Sequence, residues 1–359
     1  MSLVQPPLAD RHATAATKVG AFAGWEMPIV FEGTIAEHTA VREAVGVFDV
    51  SHLGTLFLTG AGATAAIDGS FTNNASSLTD GGSQYTLCAT EDGGVIDDLI
   101  IYRHTADRWM VIPNASNTAA VLARLQQVAG DDVQIEDASQ TWAVLAVQGP
   151  KAFALVEATL GVDPSTLLFA QHTVTHIDGS PVVVCRTGYT GEQGVELVCP
   201  AAVAGGVWDA LVAGGAVRCG LAARDTLRLE MGYPLHGNEL SVDISPYEAR
   251  SGWAVKLPDR SFVGRDALVA AKAAGPSRRL WGLVGDSRRP PRAGMDVSVN
   301  GTVVGVVTSG SFSPTRGVGI GLGLLASSVE AGEIATVDVR GTDVAFTVTS
   351  PPMVNSNPR

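Results

Sequence analysis

Cysteine is scarce and scattered. The chain has four, Cys88, Cys185, Cys199 and Cys219, and no two form a Cys-x-x-Cys pair. A disulfide framework or a zinc ribbon is therefore excluded as an organising feature, and a reducing compartment, the cytoplasm, is expected. Each thiol reads as a small core hydrophobe. Lysine is also rare, at Lys18, Lys151, Lys256 and Lys272 only, so most cationic groups are guanidiniums. No apolar run reaches the ~18 residues that a membrane-spanning helix needs. Met1 to Asp10 carries neither a signal-peptide nor a transit-peptide pattern. Basic residues are outnumbered, with Lys+Arg 24 against Asp+Glu 36 and a net charge of -12. Wrapping of duplex nucleic acid needs a basic face and is excluded, although a local arginine cluster can still hold a small anion. There is no Walker P-loop, no Gly-x-Ser-x-Gly elbow, no His-Glu-x-x-His and no internal repeat. His172 and His176 are four apart in a strand-like stretch without a third ligand, so no metal site is expected.

What is present is a foldable chain. Hydrophobic residues make up 46% of 359 and charged residues 17%, enough for two or three domains with sizeable cores. Thr34 to Val45 reads as a helix, with Thr34 and Glu37 at capping-box spacing. Val47–Val50 and Thr55–Thr59 read as short strands, and Ala61–Asp68 as a helix stopped by Gly69. Tyr85–Ala89 and Val95–Tyr102 flank the turn residues Glu91 to Gly94 and predict a hairpin, followed by a strand to Pro113. Ser116–Val128 has helical spacing, with Asn114 or Ser116 as a cap. Further on, Trp142–Val147, Val182–Arg186 and Val195–Cys199 read as strands. Helices are expected from Pro150 to Leu160, over Val207–Ala213 and over Leu221–Met231. Tyr233–Arg250 is a long polar loop, of the kind that carries function. The clearest boundary falls between Lys272 and Gly294. Beyond it helix signals vanish, short valine-rich strands alternate with turns, and Asn300-Gly301 marks a two-residue hairpin. That tail reads as a small β-barrel.

Two glycine patterns are weak nucleotide signals. Gly60-x-Gly62-x-x-Ala65 has the skeleton of a dinucleotide fingerprint, but no second parallel strand ends at Asp80. A tight strand-to-helix turn is the expected reading. Gly317-x-Gly319-x-Gly321 reads as close backbone packing.

The carboxylates carry more. Asp97 and Asp98 interrupt an apolar strand, and alternation sends them to opposite faces. A buried carboxylate must be paired or hydrogen-bonded, so each is either a structural bond acceptor or a working group in a cavity. Glu196 follows the Gly-rich stretch Thr187–Gly194. It suits a ring with adjacent N–H donors, or else a salt bridge to Arg186 or Arg224. Arg224 and Arg228 share a helix face. They invite an anion or pair with Asp225 and Glu230.

Taken in order, the motifs are not generic. They run from Phe22–Pro28 through Glu37-His38, Val41-Arg42 and Val47–Gly54 to Gln84–Leu87 and Gly93–Ile100. Arg186–Glu192, Ala223–Glu230 and Thr308–Thr315 follow. The chain resembles the aminomethyltransferases, the T-proteins of the glycine cleavage system, from about Leu8 to Val354. The resemblance implies an α+β fold: a three-domain cloverleaf of two mixed α/β folate-binding units and a C-terminal antiparallel β-barrel. The implied boundaries are 1–53 with 140–250, 54–139 with 251–275, and 276–359. It implies transfer of a one-carbon unit from the aminomethyl-lipoyl arm of H-protein to tetrahydrofolate, giving 5,10-methylenetetrahydrofolate and ammonia. Glycine cleavage components are the implied partners, with no metal, nucleic acid or membrane. By the same resemblance Asp98 is the catalytic carboxylate. Tyr85, Asn114, Tyr189, Glu196, Arg224 and Trp253 line the folate channel. Arg224, Arg228 and the Tyr233–Arg250 loop are the expected docking face for the carrier. Asn74, Ala222, Arg316 and the segment Pro352–Asn355 depart from the usual pattern. Two alternatives share the fold: folate-dependent demethylases of other donors, and a non-enzymatic folate-binding protein of iron–sulfur assembly. The latter needs a Lys-Gly-Cys-Tyr type segment, and no cysteine follows Cys219.

Overall fold

The computed structural model describes residues 3–356. Two sheets, a hairpin and a closed barrel make up its β-structure. The first sheet has six strands, drawn from residues 46–49, 142–148, 172–185, 194–200 and 217–219. All its pairings are antiparallel except Val217–Cys219 beside Gly46–Asp49. Helices Ala152–Leu160 and Ala201–Ala213 cover one face through Leu155, Val156, Val207, Trp208 and Leu211. The second sheet has five antiparallel strands between Leu56 and Asp137. Helices Ala63–Ser70 and Thr118–Val128 cover it through Ile67, Val121 and Leu125. The uncovered faces of the two sheets meet. Phe48, Val50, Phe57, Tyr102, Met110, Val183 and Val198 form that shared core, with Ala223 and Leu227 from the helix Leu221–Met231. Among the described residues no helix is long and apolar enough to cross a membrane.

The tail after Gly275 is a closed six-stranded antiparallel barrel. Asn300 and Gly301 both have positive φ, at 50° and 77°, as a type I′ hairpin turn demands. Two barrel strands are longer than the sequence suggests, Thr302–Ser313 and Val318–Ala326. Small residues at 305, 310, 319, 321 and 323 let them run close, which hides them from a hydrophobic-run reading.

Several local expectations change. The helix read as Ala61–Asp68 runs Ala63–Ser70, so Gly69 lies inside it. Helix Thr34–Glu43 is capped at Gly33 rather than Thr34. Glu37 still reaches back, accepting from the Phe31 and Gly33 N–H groups, and its other oxygen takes Gly220 N–H. At Gly60 a Cβ would lie 1.9 Å from the Asp132 carbonyl oxygen, and the strand before it pairs only antiparallel. The Gly60 pattern is therefore a packed turn with no cradle for a pyrophosphate. Gly319 likewise abuts the Arg289 carbonyl. All four cysteines are free and buried.

Candidate active site

A cavity of about 580 Å³ opens where the two sheets, the helix Leu221–Met231 and the barrel converge. Its size suits a small-molecule ligand. Asp98, Tyr85, Asn114, Tyr189, Glu196 and Arg224 all line it. Trp253 does not. It is 60% exposed and stacks on Tyr85, with ring centroids 5.2 Å apart.

The aspartate pair divides as strand geometry requires. Asp98 faces the cavity, whereas Asp97 is fully buried on the other face of the strand Val95–Thr105. Asp97 accepts from Asn114 Nδ2 at 2.9 Å, from Asn117 Nδ2 at 2.7 Å and from the Asn114 N–H at 2.9 Å. Asn114, one of the two caps expected for the next helix, is thus turned onto the aspartate together with Asn117, and helix Thr118–Val128 starts without a side-chain cap. Burial, then the adjacent Asp98 charge, pushes the Asp97 pKa up, opposed by the Asn117 and Asn114 bonds that favour the carboxylate. Asp98 accepts the Tyr85 hydroxyl at 3.0 Å and Asn114 Nδ2 at 3.1 Å. Burial raises its pKa to about 6, opposed by the Tyr85 bond, the His236 charge and the Asn114 bond. The Tyr85 and Asn114 bonds fix the orientation of the Asp98 carboxyl and favour its ionised form.

Glu196 is 7% exposed on the strand Gly194–Pro200. It accepts the Thr187 hydroxyl at 2.6 Å. Neither alternative partner bonds it: among the described residues it has no ion pair with Arg186 or Arg224. Arg186 Nη1 donates instead to the Leu167 carbonyl. The Arg224 guanidinium lies over the Tyr189 ring, 4.8 Å from its centroid, and Nη1 is buried without a partner. Burial lowers the Arg224 pKa, with Glu196 acting the other way. Tyr189 is pinned through its hydroxyl to the Pro234 carbonyl and stacks on Tyr233. Glu196 and Arg224 therefore share the cavity without being consumed by each other.

Of the expected docking face, Arg228 drops out. It is 2% exposed and bonded to Asp225 and Glu239, so it cannot meet a partner's surface. Four cavity residues escaped sequence reasoning as chemistry: His52, Arg292, Thr308 and Ser309. His52 and the Thr308-Ser309 pair stood within quoted motifs, yet nothing in their types pointed to a cavity. Burial, then Arg224, pushes His52 down to about 3, so its imidazole is neutral.

Residues 8–259 match the family described as the GCVT N-terminal domain. Residues 278–355 match the glycine cleavage T-protein C-terminal barrel domain. The chain belongs to the aminomethyltransferase family of the glycine cleavage system. An aminomethyltransferase of Parafrankia sp. (strain EAN1pec) is 50% identical, with 99% of each chain covered. That of Mycobacterium bovis is 49% identical over 98% of this chain and 97% of its own. The solved glycine cleavage system aminomethyltransferase T from Bartonella henselae superposes with a TM-score of 0.93 at 35% identity, covering 99% of both chains. The family's acceptor substrate is tetrahydrofolate. Among the described residues no cluster of three His, Cys, Asp or Glu side chains suits a metal ion.

Proposed function

We propose that this cavity transfers the aminomethyl carbon of a lipoylated carrier, H-protein, to tetrahydrofolate. The observation that carries the reading is Asp98, held by Tyr85 and Asn114, and facing a cavity with Glu196 and Arg224. Glu196 uses one oxygen on Thr187 and has the other for paired N–H donors of a pterin ring. The unpartnered Arg224 Nη1 offers a donor to the ring carbonyl. Tyr189 supplies a flat face backed by Arg224. Trp253 reaches the ligand only through Tyr85 or at the rim.

The chemistry needs two substrates in register and a negative charge where positive charge develops. The folate N5 takes the methylene carbon as the C–S and C–N bonds break, and N10 closes the ring. The two protons released from folate balance ammonia and the carrier thiol. Asp98 orients the attacking amine and stabilises the iminium character of the carbon. The reading also divides the chain as 1–53 with 140–250, 54–139 with 251–275, and 276–359. A cytoplasmic setting fits the four free thiols. Ammonia release from aminomethyl-lipoyl H-protein, with and without tetrahydrofolate, tests the function. Release that is indifferent to tetrahydrofolate, or supported only by a free methylated amine, removes it.

A further inference from the structure

The barrel wall of the cavity is not used by the chemistry above. Residues 292–295 run beside the strand Thr302–Ser313. Gly294 N–H donates to the Val307 carbonyl at 2.9 Å, and Val307 N–H donates to the Met295 carbonyl at 2.8 Å. The pairing of that strand slips between Val307 and Ser309, so Thr308 is the extra residue of a bulge. Bulges re-aim side chains. Thr308 is 8% exposed, lines the cavity, and its hydroxyl has no hydrogen-bond partner. A buried hydroxyl left unpaired in a native fold calls for a partner. Ser309 beside it is fully occupied by Arg228, Glu239 and Asn238.

Arg292 lines the same wall from the exposed rim. Its Nη1 donates to the Gly310 carbonyl at 2.8 Å, and among the described residues no carboxylate pairs with it. Arg288 and Arg289, both exposed, precede it in the same loop. Arg288 lies over the Phe312 ring at 4.3 Å. Three guanidiniums within five residues stand out in a chain of net charge -12.

Resting on the folate reading above, we infer that Thr308 and Arg292 form a subsite for the glutamyl carboxylate of the folate tail, and that Arg288 and Arg289 extend it to longer glutamyl tails. A guanidinium fork matches a carboxylate in two-point geometry. The uncharged pterin end has its own partners in Glu196 and Arg224, and the glutamyl tail is the ligand's anionic part. An acidic side chain on a docked protein stays at the surface, whereas the Thr308 hydroxyl lies inside.

The test compares tetrahydropteroate, tetrahydrofolate and its triglutamate by titration calorimetry on the whole protein without carrier. Tetrahydrofolate should bind about tenfold to a hundredfold more tightly than tetrahydropteroate, the range for a charge-assisted hydrogen bond. Arg292→Ala should bring that ratio towards one, and Thr308→Val should reduce it about threefold to tenfold. Arg288→Ser with Arg289→Ser should remove any gain from the triglutamate and leave the monoglutamate unchanged. Tetrahydropteroate affinity in every variant reports on folding and on the pterin site. An unchanged ratio in Arg292→Ala or Thr308→Val overturns the subsite. So does unchanged folate affinity accompanied by a raised KM for the carrier, which assigns the arginines to carrier docking. Failure of the wild type to bind either pterin overturns the folate reading itself.

Discussion

Tyr85 and Asp98 lie on neighbouring antiparallel strands, and the Tyr85 hydroxyl donates to Asp98 Oδ2 at 3.0 Å. Tyr85 is directly opposite Ile100, two residues from Asp98, so both side chains share one face of the sheet. The hydroxyl favours the ionised carboxylate against the burial that disfavours it. One strand register thus sets both the direction and the charge of the group proposed to face the reacting carbon.

Tyr85→Phe keeps the ring and its stack on Trp253 but removes that donor. The Asp98 pKa should then rise from about 6. In the wild type the rate should climb as pH rises through about 6, because the carboxylate must be ionised. In Tyr85→Phe the acid limb should move to higher pH, and the rate at pH 7 should fall about threefold to thirtyfold. Single-turnover ammonia release against pH measures this. An unmoved acid limb would separate the limb from Asp98.

Asp98→Asn removes the charge and keeps the shape, and should slow transfer by about 10²–10³. Folate affinity should change far less, because the interaction strengthens in the transition state. Asp97→Asn is a different lesion. All three groups on Asp97 are N–H donors, so an introduced amide must point its own donors at one of them. Stability should fall by about 1–3 kcal/mol, while the rate per folded molecule stays within a few-fold. Urea unfolding and single-turnover rates on both variants decide the assignment. A slow Asp97→Asn with a fast Asp98→Asn reverses it.

How much of this was legible in advance depends on the range of the cause. The facing of Asp97 and Asp98 follows from strand alternation alone, and the hairpin that carries it followed from Glu91–Gly94. The Asn300-Gly301 turn was legible because only certain residues accept positive φ at both positions. The cap expected from Asn114 is absent because a long-range acceptor, Asp97, outcompetes the local helix end for that amide. Trp253 was placed with the channel, yet its exposure and its contact with Tyr85 depend on how the segment after Arg250 folds back. Arg228 pairs with Asp225, as one reading of the helix face allows, but its burial was hidden for the same reason. Its neutralising partner Glu239 is eleven residues on, in an irregular loop whose path no periodicity reveals. Thr308 became visible only once barrel and body were packed together.

Glu196→Ala should weaken tetrahydrofolate binding by about 1.5–3 kcal/mol, the range for a hydrogen bond to a charged group. Glu196→Gln should recover part of the loss, since one amide oxygen can still accept. Thr187 sits against the same carboxylate at 2.6 Å. Thr187→Val should therefore weaken binding less than Glu196→Ala, through loss of orientation alone. Calorimetric titration of the three variants gives the order. Affinity unchanged in a folded Glu196→Ala would take the carboxylate out of the pterin site.

Glu230 joins the barrel to the body. One oxygen accepts the Ser313 hydroxyl and the Thr315 N–H, and the other accepts the Thr315 hydroxyl at 2.9 Å and Arg42 Nη2 at 2.8 Å. His38 Nε2 lies 3.2 Å from the same carboxylate, and Glu192 shares Arg42. Burial alone would raise the pKa, but the His38 bond and charge, the Ser313 bond and Arg42 outweigh it and hold it at about 2. The unfolded carboxyl titrates near 4.5. A depressed folded pKa stabilises the fold above the unfolded value and loses that stabilisation as pH falls from about 4.5 towards 2. Two and a half pKa units correspond to something on the order of 3 kcal/mol. Glu230→Gln removes the charge while keeping the volume. Its stability deficit against the wild type should be full at pH 7 and at pH 5.5, and should shrink steadily between pH 4.5 and pH 3. Parallel urea unfolding at these pH values measures the gap. A deficit that stays constant down to pH 3 would mean that shape and hydrogen bonding, rather than the charge on Glu230, hold the barrel to the helix Leu221–Met231.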